Sequence, residues 1–201
     1  AALDDVARAA LKPLGEHVEP VYDDAMADEA PGRDEPAAYG SGAFRALTQI
    51  KPALVGALLE AKLAVLYADA DVAFLRDPWP HLTSYENCAV ALQPNCHDEN
   101  DVLGAIVELD RRPGNPRPGK RYYGDVGCSG LAYFPSGRAA RRLAVSWKAA
   151  ASAESCGGDQ AALESALAFL AYADAHVDGR ALSLALFPNG MALRTVHGAP
   201  A

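Results

Sequence analysis

Leu63-Ala64-Val65-Leu66-Tyr67-Ala68-Asp69-Ala70-Asp71-Val72-Ala73-Phe74-Leu75 is the stretch on which the fold turns. Its first five residues are an uninterrupted apolar run, as required of a strand covered by helices on both faces. The run ends at Tyr67 and delivers Asp69 and Asp71 directly after it. In extended chain, residues two apart point to the same side. That puts the two carboxylates ~6–7 Å apart, where they repel by about 2–3 kcal/mol at an effective dielectric near 20 and by less than ~1 kcal/mol in full contact with water. A divalent cation reverses the sign of that interaction, and carboxylate oxygens suit hard, octahedral ions such as Mn²⁺ or Mg²⁺. The C-terminal edge of a parallel sheet is also where open α/β folds bind ligands. A solvated acidic turn is the plainer reading of an isolated Asp-x-Asp. The strand before this one and the apolar piece at 72–75 favour a site.

Working outward, residues 44–62 have helical spacing, with Phe44, Leu47, Val55, Leu58 and Leu59 as inward positions. Pro52 is expected to start or kink part of that helix. Further helices are predicted at 2–14, 102–109, 138–151 and 160–171, and strands at 17–22, 88–92, 131–134, 182–187 and 192–196. Residues 23–42 and 94–127 are rich in turn formers and read as loops. Alternating helices and strands in this order predict an α/β, Rossmann-like architecture with a mostly parallel sheet flanked by helices.

The chain has 201 residues, enough for one sizeable domain that buries roughly 70% of its unfolded surface. Half of the residues are hydrophobic and 22% are charged, an ordinary globular composition. The formal net charge of −8 argues against a nucleic-acid surface, which wants surplus Lys and Arg. It is compatible with a phosphorylated small molecule when a metal ion intervenes. No stretch approaches about 18 uncharged apolar residues, and Asp4, Asp5 and Arg8 are unlike a secretory signal. Cys88, Cys96, Cys128 and Cys156 match no Cys-x-x-Cys metal pattern, and Cys88 with Cys96 is the most local of their pairings. Neither a Gly-x-Ser-x-Gly elbow nor a phosphate-binding P-loop occurs.

Several blocks, taken in order, resemble the nucleotide-diphospho-sugar transferases of glycosyltransferase family 77. They are Phe44-Arg-Ala-Leu-Thr-Gln-Ile-Lys51, Leu58-Leu59, Val65 to Val72 with its Asp-x-Asp, and Leu75-Arg-Asp-Pro-Trp-Pro80. Ser129-Gly-Leu-Ala-Tyr133, Trp147, Asp159-Gln160, Phe187-Pro-Asn-Gly190 and Val196-His197 continue the series. The resemblance implies a GT-A fold over residues 1–201 as a single domain. It also implies transfer of a hexosyl or pentosyl group from a nucleotide-diphosphate donor, a UDP-sugar by family habit, to a hydroxyl on a glycan or glycoprotein. Mn²⁺ or Mg²⁺ dependence, retention of anomeric configuration and a Golgi-lumen setting, with any membrane anchor outside this chain, follow from the same resemblance.

Roles carry over by position. Asp71 would ligate the metal directly, and Asp69 would contact both the metal and the donor's ribose or sugar. Lys51, Ser129 and Gly130 would bind the donor. Asp159 and Gln160 would face the donor sugar near its anomeric carbon and carry catalysis, although Asp159 after Gly157-Gly158 is also a good helix N-cap. His197 would add an imidazole ligand to the metal.

Three features depart from the pattern. After His197 the family often continues with a small residue and Asn, whereas Gly198, Ala199 and Pro200 follow here. Cys128 stands where the family commonly has Asn. The family's first strand, which contacts the nucleotide base, has no counterpart before Ala1, so an N-terminally incomplete domain is expected. A phosphatase-like hydrolase also places Asp-x-Asp after a buried strand, but its later acidic motif is unmatched, since Leu163 stands where it needs Asp. A non-catalytic nucleotide-sugar-binding domain is the other alternative. Turnover of a generic phosphate ester without acceptor would mark the hydrolase, and no turnover at all the binding module.

Overall fold

The computed structural model describes residues 41–95, 127–153, 158–172 and 179–189. The helices expected at 2–14 and 102–109, the strands at 17–22 and 192–196, and His197 lie outside the described residues. The chain divides into two compact units, Ala1–Lys51 and Pro52–Ala201.

Helix α1 spans Gly42–Glu60 and contains Pro52 inside it rather than at its start. In the first unit, Ser41 Oγ accepts the Phe44 N–H at 3.0 Å, the hydrogen bond expected of a helix-starting serine. At the other end of α1, Lys62 takes a left-handed conformation with φ 63°. The Lys62 N–H bonds to Leu59 O and the Leu63 N–H to Leu58 O, at 3.0 and 3.1 Å. This is the paired closure that ends a helix and turns the chain away. It launches the chain into the apolar run.

In the second unit, β1 (Val65–Ala68), β2 (Val90–Pro94), β3 (Gly127–Phe134) and β4 (Gly179–Ala181) form one sheet in the order β1-β3-β2-β4. β3 is antiparallel to both β1 and β2, and β2 is parallel to β4. The sheet is therefore mixed, which corrects the expectation of a mostly parallel one. β1, β2 and β4 still run the same way; β3 is the reversed strand. It begins at the edge where β2 ends, with Gly127 opposite Pro94. The ends of β1 and β2 and the start of β3 consequently share one edge.

Helices α3 (Arg138–Ala151) and α4 (Asp159–Tyr172), with residues 52–60 of α1, cover one face. Val65, Val90, Leu92, Ala132 and Phe134 of the strands meet Val55, Leu59, Leu143, Trp147 and Leu163 of the helices there. Trp147 is fully buried and stacks on Phe134, with ring centroids 5.7 Å apart and planes 14° off parallel. The other face carries a smaller cluster in which Leu131, Tyr133 and Ala91 pack with Leu82 of the short helix α2 (Trp79–Leu82), Cys88, Leu182 and Phe187. There the buried Cys88 thiol donates to Tyr85 O at 3.0 Å.

One further expectation is corrected. Residues 182–187 form a turn rather than a strand: Leu186 and Phe187 N–H both bond to Ser183 O. Leu182, Leu184 and Phe187 are buried, so their apolar character reported burial and not extension. The apolar piece at 72–75 takes neither helix nor strand, and Phe74 and Leu75 are exposed.

Candidate active site

Asp69 is the first residue past β1. Its N–H still makes a 2.7 Å ladder bond, to Gly130 O of β3. The Val72 N–H then bonds back to Asp69 O at 3.1 Å, closing a turn whose central residues are Ala70 and Asp71. The extended alternation expected across Asp69 and Asp71 therefore does not hold. Asp69 is half-buried against β3, whereas Asp71 stands exposed on the turn. The ladder bond holds the first carboxylate, and the turn lifts the second into solvent.

Two neighbours fix Asp69. The hydroxyl of Tyr67, two residues back on the same side of β1, donates to Oδ1 at 2.8 Å. Oδ2 lies over Gly130: a Cβ at that glycine would sit 2.7 Å from it, a separation real side chains do not tolerate. Cys128 Sγ lies beside the same glycine and accepts its N–H at 3.4 Å. Gly130 is thus the strand position that lets the carboxylate lie flat against the sheet.

Asp159 comes to the same edge from the helical layer. The Ala162 N–H bonds to Gly158 O at 3.0 Å, and Gly158 has φ +140°. Gly158 therefore holds the capping position, and Asp159 is the first residue of α4. Its Oδ2 accepts the hydroxyl of Ser129, on β3, at 2.7 Å. Its main-chain carbonyl accepts the indole N–H of Trp147 at 2.7 Å. The stack on Phe134 sets the indole, and the indole sets the start of α4.

The two carboxylates share one electrostatic neighbourhood. The Tyr67 phenol is pushed well above its ordinary value, first by burial, then by its hydrogen bond to Asp69, and then by the negative fields of Asp69 and Asp159. The phenol therefore stays protonated at neutral pH and donates steadily to Asp69.

The described part of the site thus unites Asp69, Ser129, Gly130 and Asp159, with Asp71 on the adjoining turn. Ser129 and Gly130, expected to bind the donor, each touch a carboxylate. Gln160 follows Asp159, and its amide donates to Glu164 Oε1 at 3.3 Å, one turn along α4. Lys51 is half-buried in α1 and belongs to the first unit.

The sequence model of the nucleotide-diphospho-sugar transferases matches residues 1–198. The chain belongs to the nucleotide-diphospho-sugar transferase family. No curated relative and no solved structure matches it. As a transferase of this family it acts in glycosyl transfer, with a nucleotide-sugar donor and a sugar acceptor.

In this transferase, Tyr67 and Trp147 are the residues whose roles sequence reasoning missed. Tyr67 had a usable signal, since it precedes Asp69 by two on an exiting strand and so shares its side. Trp147 stood among the matched blocks, but its bond to Asp159 O depends on how α3 packs on α4 and was not legible.

Proposed function

We propose that this chain is a metal-dependent, retaining glycosyltransferase of the family 77 type, moving a hexosyl or pentosyl group from a UDP-sugar to a hydroxyl of a glycan or glycoprotein in the Golgi lumen. The observation that carries this reading is the convergence of Asp69 and Asp159 on Tyr67, at the sheet edge where β1 and β2 end. Family membership supports the donor class.

The donor set fits a hard divalent cation in kind. Asp69 and Asp71 offer carboxylate oxygens on one short turn, and Gly130 keeps the space at Asp69 Oδ2 clear of a side chain. Among the described residues no third His, Cys, Asp or Glu joins them. Asp69 and Asp71 would therefore hold the ion through part of its shell, leaving the remaining positions to diphosphate oxygens and water. A bound Mn²⁺ or Mg²⁺ would supply Lewis-acid neutralisation of the charge that develops on the leaving diphosphate.

The chain's own groups do the rest. Tyr67 O–H fixes the orientation of Asp69. Ser129 O–H holds one oxygen of Asp159 and leaves the other to face the donor sugar. From there Asp159 steadies the positive charge that grows at the anomeric carbon as the bond to the diphosphate breaks. Gln160 would serve the same sugar from the next position of α4.

Calorimetric titration of uridine diphosphate, with and without Mn²⁺, tests this on wild type and Asp71→Ala. Mn²⁺ is expected to tighten nucleotide binding about tenfold in wild type, and nucleotide to tighten Mn²⁺ binding by the same factor. Asp71→Ala should erase that coupling. Equal nucleotide affinity in all four titrations would sink the metal site and the reading with it.

A further inference from the structure

Arg138, Arg141, Arg142 and Val145 fall at i, i+3, i+4 and i+7 of α3 and so form one stripe. The stripe lines a groove of about 400 Å³ together with Glu60 and Phe169. Val145 and Phe169 are each 65% exposed. Three arginines and two solvated apolar side chains thus line one groove, on a chain of net charge −8. Glu60 is the one acidic lining residue among those described.

The placement of the arginines works against the helix. Arg138 opens α3, Arg141 and Arg142 lie in its first turns, and no acidic residue occupies the first turn. The amino end of a helix carries partial positive charge and favours Asp or Glu there. Arg141 Nη1 donates to Ser136 O at 2.7 Å and so braces the loop ahead of α3 with part of its guanidinium; that bond gives no reason for Arg138 and Arg142 to stand beside it. An anionic ligand does, since the helix end and the guanidinium groups then act in concert.

The groove is also remote from the carboxylates. β3 runs away from the Asp69 edge, and α3 begins beyond its far end. Phe169 lies about ten residues along α4 from Asp159, roughly 15 Å of helix rise. The groove is therefore separate from the proposed sugar-transfer site, and it stands or falls independently of it.

We propose that this groove docks an acidic segment of a partner polypeptide, with Arg138, Arg141 and Arg142 pairing its carboxylates and Val145 and Phe169 receiving an apolar side chain. Guanidinium forks match carboxylates in two-point contact. A concave floor with apolar residues between the cations suits a chain segment with an apolar anchor better than a flat bilayer. The charge of the whole protein opposes an acidic ligand at long range, so binding depends on close contact with the arginines.

The test uses the full chain and a fluorescein-labelled peptide carrying four glutamates around one leucine and one phenylalanine. Controls are the same peptide with lysines for glutamates, and phosphatidylserine vesicles. The variants are Arg138→Glu with Arg142→Glu, and Phe169→Ala. Wild type is expected to bind the acidic peptide and not the lysine peptide. The double reversal should weaken binding at least tenfold while its melting temperature holds or rises, because glutamate suits a helix start. Phe169→Ala should weaken binding severalfold. No binding of the acidic peptide by wild type, equal binding by the double reversal, or binding of vesicles in preference to the peptide would each overturn the proposal.

Discussion

The Tyr67 hydroxyl donates a 2.8 Å hydrogen bond to Asp69 Oδ1, two residues along the chain, and so fixes the first carboxylate of the Asp-x-Asp from the strand that delivers it. Tyr67→Phe removes that donor and keeps the ring. The variant is expected to lose about 1 kcal/mol of stability. Its kcat/KM for sugar transfer should fall about tenfold, equivalent to about 1.4 kcal/mol of transition-state binding. Steady-state kinetics and urea unfolding check the pair. An unchanged kcat/KM would mean that Asp69 needs no help from the phenol.

The same phenol gives a pH signature. Its folded value lies above that of the unfolded chain, with burial as the largest cause. The stability it contributes is fully present below the unfolded value of about 10, and is lost as pH rises from there through the raised folded value. Wild type should therefore lose more stability than Tyr67→Phe between pH 9 and 11, on the order of 1 kcal/mol. Parallel unfolding curves across that range would count against the buried, donor-locked phenol.

Gly130→Ala places a methyl group 2.7 Å from Asp69 Oδ2, so the carboxylate must move. A strand accepts alanine at least as well as glycine, and the melting temperature should change by no more than about 2–4 °C. Turnover should fall about tenfold or more. A variant that melts like wild type and turns over at full rate would show that the resting position of Asp69 is not its working position.

Asp159→Asn is expected to cripple turnover, by about 100-fold or more, with little change in stability. The amide oxygen can still accept from Ser129, so the contact between β3 and α4 survives. A variant that lost several kcal/mol and kept its rate would make Asp159 a structural residue.

Trp147→Phe keeps the stack on Phe134 but removes the N–H that bonds to Asp159 O. A loss of about 1–2 kcal/mol is expected from the missing bond and the smaller ring. A severalfold fall in kcat at near-constant KM should accompany it, because the start of α4 loses its anchor. Loss of stability with an unchanged kcat would restrict the indole to packing.

What the sequence revealed followed from strong periodicity. The helix read at 138–151 is observed as Arg138–Ala151, and the one read at 160–171 as Asp159–Tyr172. The apolar run before Asp69 became β1. β3 was read from 131 but begins at Gly127, because Gly127-Cys-Ser-Gly130 has the composition of a loop. Those glycines are there for close approach: a Cβ on Gly127 would run into Leu92, and one on Gly130 into Asp69. Strand direction was illegible as well, since an apolar strand looks the same whichever way its neighbours run. Hence the elements that carry Asp69 and Asp159 were legible, whereas the contacts that unite Asp69, Ser129 and Asp159 were not.

The reversed strand also has a kinetic meaning. Asp69 and Gly130 lie about 60 residues apart in the chain, yet the N–H of one and the carbonyl of the other close the ladder at the site. Joining such distant pieces is the slow kind of step in folding, because a long loop must close before any contact rewards it. The carboxylate cradle can form no earlier than the docking of β3 against β1. Recovery of nucleotide binding during refolding therefore times the completion of the sheet, and a local opening at β1 would switch the site off before the helical layer has begun to unfold.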